Sequence, residues 1–337
     1  MCIILMITEN CNCSCFFCSR KNLQKSIVEA SLYGYYSALD ILSKSYPSSK
    51  LVLSGGEPTL SKFFFPIINY SKNRFAKIEI QTNGTFGEDI LRQLKSYLEE
   101  NVYLQFSIDG MKEAHDLIRG QGTFDKVIAN IEYLKHYYSH LSISATVTPQ
   151  NLDDVLELAL FLNNIKFRRL TVSYVQPLHP QDELMISNDT WNRFVDALLL
   201  RCNYRVDVSK LYDSQLMYKS LKSSEKNQRI TNCGRGRTHF YINSNLDVLP
   251  CTCTDETVGN LLVDDISIIK HRLSQKEKVN ISKSSTCNTC DYLSICNGGC
   301  PGMSKKIFGV ENMGDIRCPK VAEYAKTKGL VSEEFVI

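Results

Sequence analysis

Along the first 180 residues, short runs of apolar and alternating residues are separated by longer stretches with an apolar residue every three or four positions. The short runs predict strands over Ile3–Ile7, Lys50–Ser54, Lys77–Thr82, Val102–Ile108, Ser142–Val147 and Leu170–Gln176. Between them, Ile90, Leu91, Leu94 and Leu98 share one helical face. Phe124, Val127, Ile128, Ile131 and Leu134 share another, behind a capping position at Thr123. Strands alternating with helices in this order predict right-handed βαβ units and a parallel sheet.

Three of these strands are not the continuous apolar runs usual for buried parallel strands. Glu79, Gln81 and Asn83 share one face; Tyr103, Gln105, Ser107 and Asp109 share a second; Ser144, Thr146 and Thr148 share a third. Apolar residues fill the opposite faces. If the polar faces point the same way, the sheet curls around a polar cavity. An exposed antiparallel sheet is the alternative, and the intervening helices oppose it. From Val206 to Asn232 the chain is polar and weakly periodic, most linker-like at residues 222–227. This predicts a barrel-like α/β unit over residues 1–205, a bridge over 206–232 and a smaller unit over 233–337.

Composition adds little until the cysteines are counted. A hydrophobic share of 43% and a charged share of 22% are those of an ordinary globular chain. The net charge of +3 does not point to nucleic acid, and residues 166–169 read as a solvated turn. No apolar run approaches the roughly 20 residues that a membrane span needs, and no signal peptide is evident. Fourteen cysteines, however, bunch at two ends. Four lie within Cys11–Cys18 and eight between Cys233 and Cys318, leaving Cys2 and Cys202 as spare thiols. Clusters without an export signal argue for metal in a reducing cytoplasm rather than disulfides.

Cys11, Cys15 and Cys18 form C-x3-C-x2-C directly after the first strand. Three thiolates on one loop can each hold one iron of a [4Fe–4S] cube and leave the fourth iron open. Zinc would want a fourth protein ligand. Cys13 would have to fold under the cube to supply it, so it reads as a spare thiol.

The segment Cys11–Cys18, with Phe17 before the last cysteine, resembles the signature of the radical S-adenosylmethionine (SAM) superfamily. That resemblance implies a partial (β/α)6 barrel in which the open iron binds the methionine group of SAM. An electron from the cluster then yields a 5′-deoxyadenosyl radical that abstracts hydrogen from substrate. By position, Phe17 packs near adenine. Gly55, Gly56, Glu57 and Pro58 resemble the family's GGEP loop, with glycines for close approach, Pro58 for stiffness and Glu57 toward the SAM ammonium. Asn83 and Ser107, at the ends of the third and fourth strands, fall to the ribose and Arg119 to the SAM carboxylate. Tyr174 and Gln176 fall to the adenine. Turn or capping chemistry is the alternative for the polar residues among these.

The second cluster reads Cys287-x2-Cys290-x5-Cys296-x3-Cys300, followed by Cys318 and preceded by Cys233 and Cys251. By count, two zinc sites or two iron–sulfur clusters fit equally. The pattern resembles the SPASM extension, which implies two auxiliary [4Fe–4S] clusters. By position, one uses Cys287, Cys290, Cys296 and Cys318, and the other Cys233, Cys251 and Cys300. Leu246 stands where the family has glycine. Cys253 either completes the second cluster or leaves it an open iron.

The resemblance implies a cytoplasmic, anaerobic oxidoreductase that modifies a ribosomally made peptide, for example by a side-chain crosslink. A flavodoxin or ferredoxin would donate electrons. With the first strand at residue 3, leader recognition is expected from a separate protein or the enzyme's own surface. A formylglycine-forming sulfatase maturase is the alternative, then molybdenum-cofactor biosynthesis, then a non-catalytic iron–sulfur sensor or zinc-binding adaptor. Tyr174, His179, Asp109 and Asp255 are the acid–base candidates.

Overall fold

A computed structural model describes residues 1–18, 28–98, 100–175, 184–208, 234–253, 256–277 and 279–331. The six expected strands are present as β1 (Cys2–Met6), β2 (Lys50–Ser54), β3 (Lys77–Thr82), β4 (Val102–Ser107), β5 (Leu141–Val147) and β6 (Leu170–Tyr174). They pair in chain order, all parallel. The intervening helices are α1 (Leu32–Ser45), α2 (Phe64–Ser71), α3 (Glu88–Tyr97), α4 (Lys112–Arg119), α5 (Thr123–Tyr133) and α6 (Leu152–Leu162). This is the expected partial (β/α)6 barrel.

The apolar strand faces drive it. Leu53, Ile80, Leu104 and Ile143 are fully buried, as are Leu39 and Leu42 of α1, Leu94 of α3 and Leu158 of α6. Each such side chain contributes about 1.5–3 kcal/mol relative to exposure. Pairing places Glu79 opposite Tyr103, Gln81 opposite Gln105, and Ser107 opposite Ser144. The polar positions therefore share the other face, as the alternation predicts.

Local signals decide the helix ends. Ser31 caps α1 by accepting from Gly34 N at 3.1 Å. At α5 the expected cap differs. Thr123 is the first helical residue, and Asp116 of the preceding helix accepts from Gly122 N at 2.8 Å and Phe124 N at 2.9 Å. A carboxylate one helix earlier thus satisfies the free N–H groups.

The sheet continues past the six strands at both edges. β7 (Val206–Val208) adds parallel to β6, and β8 (His239–Ile242) adds parallel to β1. β9 (Asp247–Leu249) and β10 (Gly259–Asn260) follow β8 antiparallel. The division expected over residues 206–232 falls between two strands of one ten-stranded sheet; most of that segment lies outside the described residues. After α7 (Asn188–Arg201), the later helices are α8 (Ile266–Gln275), α9 (Leu293–Cys296), α10 (Pro301–Phe308) and α11 (Pro319–Thr327). Ile269 and Leu273 of α8 join the main core, whereas Met303, Ile307, Ile316, Ala322 and Ala325 form a small second one. So small a core is of the size that ordinarily needs a covalent or metal staple. No described helix is long and apolar enough to cross a membrane.

Candidate active site

The C-terminal ends of the barrel strands surround a cavity of about 360 Å³. Cys11, Cys13, Cys15 and Cys18 line one wall with Phe17; Gln81, Asn83, Ser107, Thr146 and Ser173 line the lumen; Arg119 and Tyr174 reach in from the far side. Gln81 and Thr146 lie on faces that the alternation singled out. Ser173 was missed, although it alternates with buried Leu170, Val172 and Tyr174 in the same way.

The cysteine loop is held against the loop after β2. Gly56 N donates to Thr8 O at 2.9 Å, and Glu57 N to Asn10 O at 2.7 Å. A Cβ on Gly55 or Gly56 would collide with these carbonyls, and Gly55 also has φ +147°. The close approach the glycines allow is thus to the cysteine loop, with Gly56 also on the cavity wall. Glu57 is buried; it accepts from Thr59 N, Thr59 Oγ1 and Thr82 Oγ1 at 3.2, 2.7 and 2.7 Å, and from Asn83 N at 2.8 Å. These bonds tie the loop to the end of β3, where the resemblance sets Glu57 toward the SAM ammonium. Pro58 opens the short helical turn that follows.

Asn83 continues the clamp. Its Nδ2 donates to Asn12 Oδ1 at 2.7 Å and to Cys13 Sγ at 3.3 Å. The Cys13 backbone N–H donates to Cys11 Sγ at 3.4 Å. A hydrogen bond from the Cys13 thiol is the main reason that Cys11 is lowered to about 6, and the same bond raises Cys13. Burial raises Cys15.

Arg119 Nε donates to Asp109 Oδ2 at 2.6 Å, and Asp109 Oδ1 accepts from Thr146 N at 2.8 Å. Asp109 is fully buried and fixes the guanidinium, so its expected place among the acid–base groups is replaced by a positioning role. Tyr174 lines the cavity with its ring. Its hydroxyl accepts from Ile186 N at 2.6 Å and donates to Ile186 O, and burial pushes it up to about 12. A hydroxyl so engaged is a poor proton acceptor, which removes Tyr174 from that group too. Gln176, His179, Asp255 and Cys233 lie outside the described residues.

The later cysteines gather in two groups. The Cys253 thiol hydrogen-bonds to those of Cys251 and Cys300, and Cys253 N donates to Cys251 Sγ at 3.3 Å. Gly302 packs on Cys253, where a Cβ would collide. In the other group Cys287 has Cys290 close by, and after burial the charges of Cys318 and Cys287 help raise Cys296 to about 12. Asp315 lies near both groups, accepting from Cys300 N at 2.8 Å and raising Cys296. Among the described residues, no three His, Cys, Asp or Glu side chains converge as ligands of a single ion would. Leu246, in the glycine position, has φ +72° and so adopts the backbone that glycine would supply.

Comparison with known proteins agrees with this layout. The mycofactocin maturase MftC of Mycolicibacterium smegmatis is 25% identical over 320 residues, spanning 91% of this chain and 79% of the relative. The structure of Streptococcus suis SuiB bound to precursor peptide SuiA has a TM-score of 0.76 at 18% identity, covering 95% of this chain and 75% of that one. Native anSMEcpe with bound AdoMet gives a TM-score of 0.73 at 20% identity, covering 97% and 98%. The two structures share the fold over both the barrel and the cysteine-rich end. Residues 5–162, just under half of the chain, match the Radical SAM superfamily.

Proposed function

We propose that the chain is a peptide maturase, cleaving SAM reductively and oxidising a side chain of a ribosomally made peptide, as in crosslink formation. The observation that carries this reading is the polar cavity that unites the Cys11, Cys15 and Cys18 thiols with half-buried Arg119. The relative MftC is named a maturase, and SuiB was solved with a precursor peptide, which supports peptide over small-molecule substrate.

The thiols and the cavity fit an iron–sulfur cube: three ligands on one wall and polar groups where a cofactor would face them. Cys11, Cys15 and Cys18 would hold it, and when bound it supplies the electron that splits SAM. Arg119, fixed by Asp109, offers its guanidinium to the SAM carboxylate, where a bidentate cation suits best. Asn83 and Ser107 present polar groups to the ribose, and Phe17 and Tyr174 present rings to the adenine. Glu57 keeps the two loops in register. Thr146 and Ser173 line the lumen that receives the substrate side chain.

At the cysteine-rich end, Cys287, Cys290, Cys296 and Cys318 would hold one auxiliary cube. Cys253 joins Cys251 and Cys300, so that with Cys233 the other has four ligands and no open iron. A closed cluster accepts electrons; it does not bind substrate. The electron left after hydrogen abstraction then has an acceptor in the same chain, and a flavodoxin or ferredoxin supplies the first one in an anaerobic cytoplasm. Leader recognition belongs to a separate protein or to the chain's own surface.

Anaerobic reconstitution tests this. About twelve irons per chain and 5′-deoxyadenosine formation are expected, followed by a loss of hydrogen mass in a co-expressed precursor. Turnover of a metabolite instead of any encoded peptide would overturn the peptide reading. A peptide aldehyde would move it to formylglycine formation.

A further inference from the structure

The barrel lumen below the cavity holds charges that the SAM site does not use. Glu79 is 2% exposed and accepts from Lys50 Nζ at 2.7 Å, with Arg169 Nη2 at 3.5 Å and Lys77 Nζ at 3.7 Å. One well-placed cation balances one buried carboxylate, and further cations add repulsion among themselves. Asp207 of β7 accepts from Arg169 Nη1 at 3.0 Å and also from Arg205 Nε at 2.9 Å. Lys77 Nζ sits 3.6 Å from the centre of the Tyr103 ring, with Arg168 at 5.6 Å on the same ring. Four basic side chains thus share two carboxylates at the N-terminal end of the strands, with Arg168 close by.

Two buried polar atoms at this level have no hydrogen-bond partner among the described residues: Arg169 Nε, at the entry to β6, and Thr171 Oγ1. Thr171 alternates in step with cavity-lining Ser173, so it faces the lumen. A buried donor without an acceptor costs about 1–3 kcal/mol, and here it lies beside surplus positive charge. An anion would meet both needs at once.

We propose that this lower lumen is a carboxylate-binding subsite of the substrate channel, with Lys77 and Arg169 as its ligands. It rests on the peptide reading above and adds that the peptide places an acidic group there, from an Asp or Glu side chain or from its C-terminus. Gln81 lines the cavity two residues above Glu79 on the same strand, a rise of about 7 Å. An extended peptide therefore carries the carboxylate about two residues from the carbon that reacts.

The titration of Lys77 agrees. Burial, followed by Arg168, Lys50 and Arg169, holds it down at about 8 against the attraction of Glu79. Cys2 and His140 also face it. A bound carboxylate stabilises the ammonium form, so affinity is full below that value and falls as pH rises through it.

The test is calorimetric titration of the reconstituted, SAM-bound enzyme with three tripeptides: acetyl-Ala-Glu-Ala-amide, acetyl-Ala-Gln-Ala with a free C-terminus, and acetyl-Ala-Gln-Ala-amide. One carboxylate peptide is expected to bind at least about tenfold tighter than the neutral one, and which one it is names the source of the group. Lys77→Met should abolish the preference. Lys77→Arg, which keeps the charge and controls for folding, should retain it and lose the decline above pH 8. Equal behaviour of the three peptides, with glutarate also unbound, overturns the subsite, as does a preference that survives Lys77→Met. Glutarate binding that depends on Lys77 while no tripeptide binds upholds the subsite and overturns the peptide reading instead.

Discussion

The two cysteine-rich ends contain the same local device in different surroundings. In each, a C-x-C step turns back so that the second cysteine's N–H donates to the first thiol, at 3.4 Å in Cys11–Cys13 and 3.3 Å in Cys251–Cys253. At the barrel, the second thiol meets an amide donor, Asn83 Nδ2, at the wall of a cavity. At the other end, it meets a third thiol, Cys300, under the packing of Gly302. The same dipeptide geometry thus leaves Cys13 beside an open site and gathers Cys253 into a closed one. On the proposed reading, what lies across from a thiol, not its spacing, decides whether it acts as a ligand.

Substitution breaks this comparison most strongly at the open site. Cys15→Ala should lower reductive SAM cleavage to below about a thousandth of the parent, read as 5′-deoxyadenosine, because a cube cannot be held with its iron exposed by two thiolates alone. The comparison itself is sharpened by a pair. Cys253→Ala leaves its cluster three thiolates and one exposed, labile iron, so iron should fall from about twelve to about eleven per chain after reconstitution, whereas Cys13→Ala should keep about twelve. Equal iron in the two variants would mean that the neighbour across from the thiol does not matter.

A smaller effect tests what holds the open site's loop. Glu57→Gln replaces one of two carboxylate oxygens by a donor, facing Thr59 and Thr82 or Asn83 N–H. It should destabilise the fold by about 2–3 kcal/mol, seen as a lower denaturation midpoint, since buried donors are left facing a donor. The closed site is held by a different carboxylate, Asp315, which accepts from Cys300 N at 2.8 Å, so its stability should be unmoved by the change.

Most of the barrel was legible because alternation is a direct imprint of a two-faced strand. Lys50–Ser54 and Lys77–Thr82 emerge from the sequence with their ends as found, and the polar lumen follows from Glu79, Gln81 and Ser107 in register. The edge strands β7 to β10 were not legible. They run two to four residues, too short to show a period. The roles of Glu57 and Asp109 were hidden for another reason: burial and partners such as Thr82 and Arg119 come from other elements. Cys253 likewise takes its meaning from Cys300, which the chain brings back only through the second small core.

The smallest effect lies at Leu246, where the closed site's hairpin bends. Its N–H donates to Asn243 O at 3.0 Å, and Asp247 N donates to Asn243 Oδ1 at 2.8 Å, closing the turn between β8 and β9. A φ of +72° costs a non-glycine residue about 1 kcal/mol. Glycine would remove that strain, but Leu246 is fully buried in the main core, and deleting such a side chain costs about 2–5 kcal/mol. Leu246→Gly should therefore lower stability by about 1–4 kcal/mol in denaturant unfolding, although it restores the residue that the turn's backbone favours. A stabilised variant would mean that the turn, not the core, chose this position. Leucine here is then a packing residue that tolerates a glycine backbone, and the cysteine-rich end inherits its turn from the barrel's core.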